Sequence, residues 1–122
     1  MATVYEKLKK AGIDFFDATP YPVQVGCYWL EDTKKYQKIT GKKFIDDAGD
    51  VQGRCTSFSD GGHRIILIGI AKSAHEGTLA HECYHALNAI YLWHGCHHDR
   101  DNDEPAAYLL GYLAYRCSER LK

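Results

Sequence analysis

Thr78-Leu79-Ala80-His81-Glu82-Cys83-Tyr84-His85-Ala86-Leu87-Asn88-Ala89-Ile90-Tyr91-Leu92 is the stretch on which the reading of this chain turns. Leu79, Cys83, Ala86, Leu87 and Ile90 recur at helical spacing and mark the buried side of a helix. On that helix His81 and His85, four residues apart, share one face, where one zinc ion bridges them with bonds of about 2.0–2.1 Å. Glu82 stands one step on, roughly 100° round the axis, flanking the imidazoles without being forced to ligate. Two neutral ligands, an adjacent base and an open coordination position are what a hydrolytic zinc site needs. HExxH is short and arises by chance, so its surroundings must carry the argument. Ser73 with Glu76 reads as a capping box opening the helix, and Gly95 closes it. Cys83 reads as a small core residue, since it projects away from the histidines.

Downstream, residues 92–103 (LWHGCHHDRDND) break the pattern and form a turn and loop. Asn102 or Asp103 caps a last helix, with Pro105 tolerated in its first turn and Ala106, Leu109, Leu110, Leu113 and Cys117 as its inner stripe. Two helices joined this way pack side by side, which returns the start of the second to the level of His85. Glu104, with 18 residues between it and His85, is therefore the candidate third ligand. Asp103 competes with it but suits an N-cap or an acceptor for a ligand N–H. The rival set is His94, Cys96, His97 and His98, which would make the loop a structural zinc clip. A third histidine six residues after His85 would mark another zinc subclass, but that position is Tyr91. Tyr108, one turn beyond Glu104, is the candidate hydroxyl donor to a developing oxyanion, with a core aromatic as its plain alternative. Tyr84, His63 and His75 are weaker candidates for that role.

Upstream lie the strands. Arg54 to Ser59 and Arg64 to Ile70 form a hairpin through Asp60-Gly61-Gly62. The second of these, RIILIGI, is apolar nearly throughout, so both its faces should be covered. Val23 to Leu30 reads as a further strand, preceded by a loop from Asp17 to Pro22. Thr3 and Glu6 form a capping box for a first helix whose stripe is Val4, Leu8 and Ala11 and which ends at Gly12. Asp32 opens a short helix through Tyr36 and Ile39 that stops at Gly41. Lys34, Lys35, Lys38, Lys42 and Lys43 read as a solvated face, because arginines and interleaved stacking aromatics are lacking. Ile45 to Gly53 reads as a loop without the spacing of a calcium site. The expectation is an α+β chain, a single domain over residues 1–122. A small sheet of about three strands packs on the motif helix and a C-terminal ligand helix.

Of the 122 residues 45% are hydrophobic and 25% charged, and the net charge is −1, so neither nucleic acid nor an anionic membrane is expected as the main partner. No apolar run approaches the length of a membrane span, and the first residues lack the apolar core of a signal peptide. The five cysteines are odd in number and lack CxxC spacing, which reads as reduced thiols in a cytoplasm. Oligomeric state is left open.

HExxH with a glutamate 18 residues beyond it resembles the gluzincin pattern of zinc metallopeptidases, and Arg54 to Tyr115 looks like a minimal zincin domain. TLAHE after an apolar strand also resembles the ImmA/IrrE group, whose members cleave regulators. The run HECYHALN…GCHHDRDNDEPAAYLLGYL is most similar to small metallopeptidase-like proteins encoded by bacteriophages of Gram-negative bacteria. The resemblance implies peptide-bond hydrolysis with one Zn2+ held by His81, His85 and Glu104, and Glu82 as general base. It further implies a protein or peptide substrate extended along an edge strand. RIILIGI is the natural template, or its hairpin partner should RIILIGI prove central. The cytoplasm of a phage-infected or prophage-carrying host is the implied setting. The chain departs from larger gluzincins in having no second domain to wall a cleft. It also has Tyr108 where an Asp often supports a ligand histidine. The alternative is a catalytically silent, zinc-stabilised module that binds protein.

Overall fold

In the computed structural model, which describes residues 2–41 and 51–122, the chain is α+β, with a mixed sheet between two pairs of helices. Lys42, Lys43 and most of the expected loop from Ile45 lie outside the described residues. The strands are β1 (Phe16–Asp17), β2 (Val23–Trp29), β3 (Gly53–Asp60) and β4 (His63–Ile70), in the order β1-β2-β4-β3. The sheet therefore has four strands, where about three were expected. The extra one, β1, is a two-residue strand, too short to show a period, and pairs antiparallel with β2 at Phe16↔Val25 and Asp17↔Gln24. Gly53, assigned to a loop by sequence, is the first residue of β3.

RIILIGI occupies the interior of the sheet. β4 pairs parallel with β2, from Val23↔Arg64 to Trp29↔Ile70, and antiparallel with β3, from Gly53↔Ile70 to Asp60↔His63. The edge role therefore passes to β3. The β3–β4 turn contains Gly61 at φ +55° and Gly62 at φ +86°, the consecutive positive values that a tight hairpin turn demands.

Side-chain alternation along β4 assigns the layers. Ile66, Ile68 and Ile70, with Val23, Val25 and Cys27 of β2, pack on α3 (Glu76–His94) and α4 (Glu104–Arg120) through Cys83, Ala86, Leu87, Ile90, Leu109, Leu113 and Cys117. Ile65 and Leu67 belong to the opposite core, with Tyr28, Phe58, Leu8, Ile13 and Tyr36. That face is covered by α1 (Val4–Lys10) and by α2 (Thr33–Thr40), which follows a 3-10 turn at Leu30–Asp32. Each fully buried Leu or Ile contributes about 1.5–3 kcal/mol, so both layers hold the sheet.

The α1 cap is as expected, Thr3 Oγ1 accepting from the Glu6 N–H at 3.1 Å. Asp32 stands at the N-cap position of α2, though its side chain makes no capping bond. At α3 the cap differs from expectation. His75, not Ser73, takes the N-cap, its Nδ1 accepting from the Gly77 N–H at 3.1 Å. Ser73 lies two residues too early and instead donates to Gln52 Oε1 at 3.2 Å, beside the Ala71 N–H to Gln52 C=O bond of 2.8 Å. These two bonds tie the residue preceding β3 to the turn that feeds α3. Among the described residues no helix is long and apolar enough to cross a membrane.

Candidate metal centre

α3 presents two unlike sides. Cys83, Ala86, Leu87 and Ile90 are buried, whereas His81, Tyr84 and His85 are exposed. Gly95, at φ +66°, ends the helix in the left-handed conformation, and the Cys96 N–H closes onto the Tyr91 C=O at 2.9 Å.

On the exposed side the Nε2 atoms of His81 and His85 are 3.2 Å apart, with ring centroids 4.8 Å apart and planes at 76°. Two zinc–nitrogen bonds of about 2.0–2.1 Å opening at a tetrahedral angle place their nitrogens roughly 3.3–3.4 Å apart, so the pair has the span a shared ion requires. Glu82 Oε2 stands 4.0 Å from His81 Nε2. Ligand-capable atoms of His81, Glu82 and His85 all lie within 4.8 Å of one another, and this group could hold a metal ion. Its members differ in environment. The His81 side chain is 67% exposed, while Glu82 is only 7% exposed and lies against the start of β3.

The thiols around Glu82 are held neutral. Burial, then the charge of Glu82, pushes Cys55 from an ordinary 9.0 up to about 12. Cys83 is raised by its hydrogen bond to Cys117 and then by burial, and Cys117 is raised by its bond to Cys27. A neutral, buried thiol on the inner side of α3 is a core residue and no ligand, as the sequence suggests for Cys83.

Glu104 is the first residue of α4 and is exposed; it is not a member of the three-residue group. With Ala107, Tyr108, Gly111 and Tyr112 it lines an open surface cavity of about 490 Å³. Tyr108 is 75% exposed, which removes the core-aromatic alternative and sets it beside Glu104. Asp103 holds the N-cap position of α4, its C=O accepting from the Ala107 N–H at 2.9 Å, with no capping bond from its side chain.

Of the rival loop set, His94, Cys96 and His98 each have a partner outside it. The His94 ring packs on Tyr21 at 5.1 Å, Cys96 Sγ lies 3.8 Å from the Tyr21 hydroxyl, and His98 Nε2 meets Asn88 Oδ1 at 2.6 Å. Among the described residues they form no group of three ligands. His63 packs on Tyr5 at 4.5 Å and His75 serves as the cap, so neither joins the site.

Two contributors escaped the sequence reading. One is Gly53, hidden in a segment read as loop. The other is the clip of Asn88 and His98, with His98 stacked on Tyr84 at 6.0 Å, which folds the 95–103 loop back along α3. Asn88 sits three residues after His85 on the same side of the helix, and that spacing was the available signal.

Comparison with protein-family models, with curated proteins and with solved structures returns no match.

Proposed function

We propose that the chain is a zinc-dependent peptidase of minimal zincin type, with His81 and His85 as metal ligands and Glu82 as general base. The observation that carries this reading is the 3.2 Å separation of the two imidazole nitrogens with a buried carboxylate 4.0 Å away. A purely structural zinc site has no use for that carboxylate.

When bound, zinc supplies Lewis acidity, polarising a peptide carbonyl and lowering the pKa of water toward about 7. His81 and His85 would hold it through their Nε2 atoms, which lie 3.2 Å apart. Glu82 takes the proton from the attacking water and returns it to the departing amine. Glu104 would be the third ligand in this reading, brought to the imidazole pair from the start of α4, where it stands exposed outside the three-residue group. Tyr108, one turn on and lining the same cavity as Glu104, would then offer its hydroxyl to the oxygen on which charge develops. The substrate lies extended along β3, the edge strand next to Glu82, where backbone pairing supplies affinity.

The test combines metal analysis with hydrolysis of a dye-labelled unfolded protein, with and without chelator, in the wild type and Glu82→Gln. The expected result is one zinc per chain in both. Cleavage should be chelator-sensitive in the wild type and lowered by about 10²–10⁴ in the variant. Retained turnover in Glu82→Gln removes the general-base role. Zinc without chelator-sensitive cleavage favours the alternative, a zinc-stabilised module that binds protein without cutting it.

A further inference from the structure

The Glu82 carboxylate owes its place to a residue outside α3. A Cβ built on Gly53 would lie 2.8 Å from Thr78 Cγ2, 3.0 Å from Glu82 Cγ and 3.0 Å from Glu82 Oε2. These separations are below ordinary van der Waals contact. Gly53 is not there for its backbone freedom: its φ lies outside the left-handed region, and it pairs with Ile70 as an ordinary strand residue. What the position requires is the missing side chain.

The strand has little latitude to yield. The Gln52 C=O accepts from the Ala71 N–H at 2.8 Å, the Gln52 side chain meets Ser73 at 3.2 Å, and Gly53 itself is in the β4 ladder. From the helix side, α3 is anchored by fully buried Cys83, Ala86 and Ile90. The group able to move is the Glu82 side chain, outward toward the solvent side where His81 and His85 lie.

We infer that Gly53 is a positioning residue for Glu82. The bare first residue of the edge strand is the niche that keeps the carboxylate buried and 4.0 Å from His81 Nε2. The inference rests on the reading of Glu82 as the base. It adds that a second element, β3, sets the distance between that base and the metal ligands. A substrate strand laid on β3 and the group that activates water are then referenced to the same backbone.

The test is Gly53→Ala, alone and with Thr78→Ala, which removes the tightest contact and leaves only those to Glu82. Crystal structures of the zinc-loaded variants give the carboxylate position, zinc competition gives affinity, and cleavage of the dye-labelled unfolded protein gives kcat and KM. Expected in both variants is a Glu82 carboxylate displaced by about 1 Å or more, with kcat down by tenfold to about a hundredfold and KM little changed. Zinc affinity should stay within roughly threefold, the ligands being untouched. Glu82 holding its wild-type position in the double variant overturns the inference, as does zinc affinity falling in step with kcat. If the wild type itself shows no chelator-sensitive cleavage, the peptidase reading fails by that result. The carboxylate position and zinc affinity then still decide the case for Gly53.

Discussion

His81 Nε2 and His85 Nε2 lie 3.2 Å apart across one turn of α3, on its exposed side. That distance is a hydrogen bond between imidazoles, and it is also the separation that two ligands of one zinc ion would have. On the proposed reading, binding would need little reorganisation of these side chains. Zinc should raise the melting temperature, by the equivalent of about 2.7 kcal/mol at a hundredfold excess over Kd. His81→Ala or His85→Ala should weaken zinc by at least about a hundredfold, more than changes to supporting residues cost. Calorimetric titration checks both, and an unchanged affinity in either variant removes that histidine from the site.

Which residue completes the coordination sphere is open to a direct comparison. Glu104→Ala should lower zinc affinity by tenfold or more, while Asp103→Ala and His98→Ala should stay within roughly threefold. His98 is already engaged by Asn88 at 2.6 Å and by the Tyr84 ring. A larger loss in His98→Ala than in Glu104→Ala would transfer the third position to the loop.

Alkaline pH should unfold the chain earlier than its core size suggests. Cys55 is raised from 9.0 to about 12, and Tyr28 from 10.0 to about 12, in each case chiefly by burial, and Cys83 and Cys117 are raised as well. These acids keep their protons in the folded state after the unfolded chain has lost them. Stability is therefore fully present below the unfolded values near 9 and 10, and falls as pH climbs toward 12. Each group contributes a slope of about 1.4 kcal/mol per pH unit across its window. Urea melts between pH 8 and 11 test this, and Cys55→Ala should flatten the decline. A profile independent of pH over that range would contradict the burial of these groups.

How far the sequence carried the fold can be judged residue by residue. α3 was legible because its apolar spacing and the glycine behind it agree with each other. The hairpin was legible because Asp60-Gly61-Gly62 allows few other turns. Apolar residues on both faces of RIILIGI implied two covering layers, and those are Ile66, Ile68 and Ile70 on one side and Ile65 and Leu67 on the other. The parallel pairing of β2 with β4 was not legible. It joins residues about forty positions apart, and the pairing of distant strands leaves no local mark. Ser73 and His75 show another limit. Both precede the helix, but α3 starts at Glu76, which puts His75 at the cap, and Ser73 is engaged by Gln52 from another element.

At the site, the imidazole pair and the carboxylate follow from helical periodicity alone, so their grouping was readable. Gly53 was not, because its importance lies in an absent side chain facing a residue 29 positions later. The place of Glu104 depends on where α3 stops: the helix runs on past His85 to His94 before the chain turns back into α4, a length that Gly95 sets and the motif does not.

The imidazole clasp lies outside both hydrophobic interiors, each of which is closed by its own helices. Neither interior draws a side chain from His81 or His85. An ion held there could be exchanged with the surroundings without disturbing either interior.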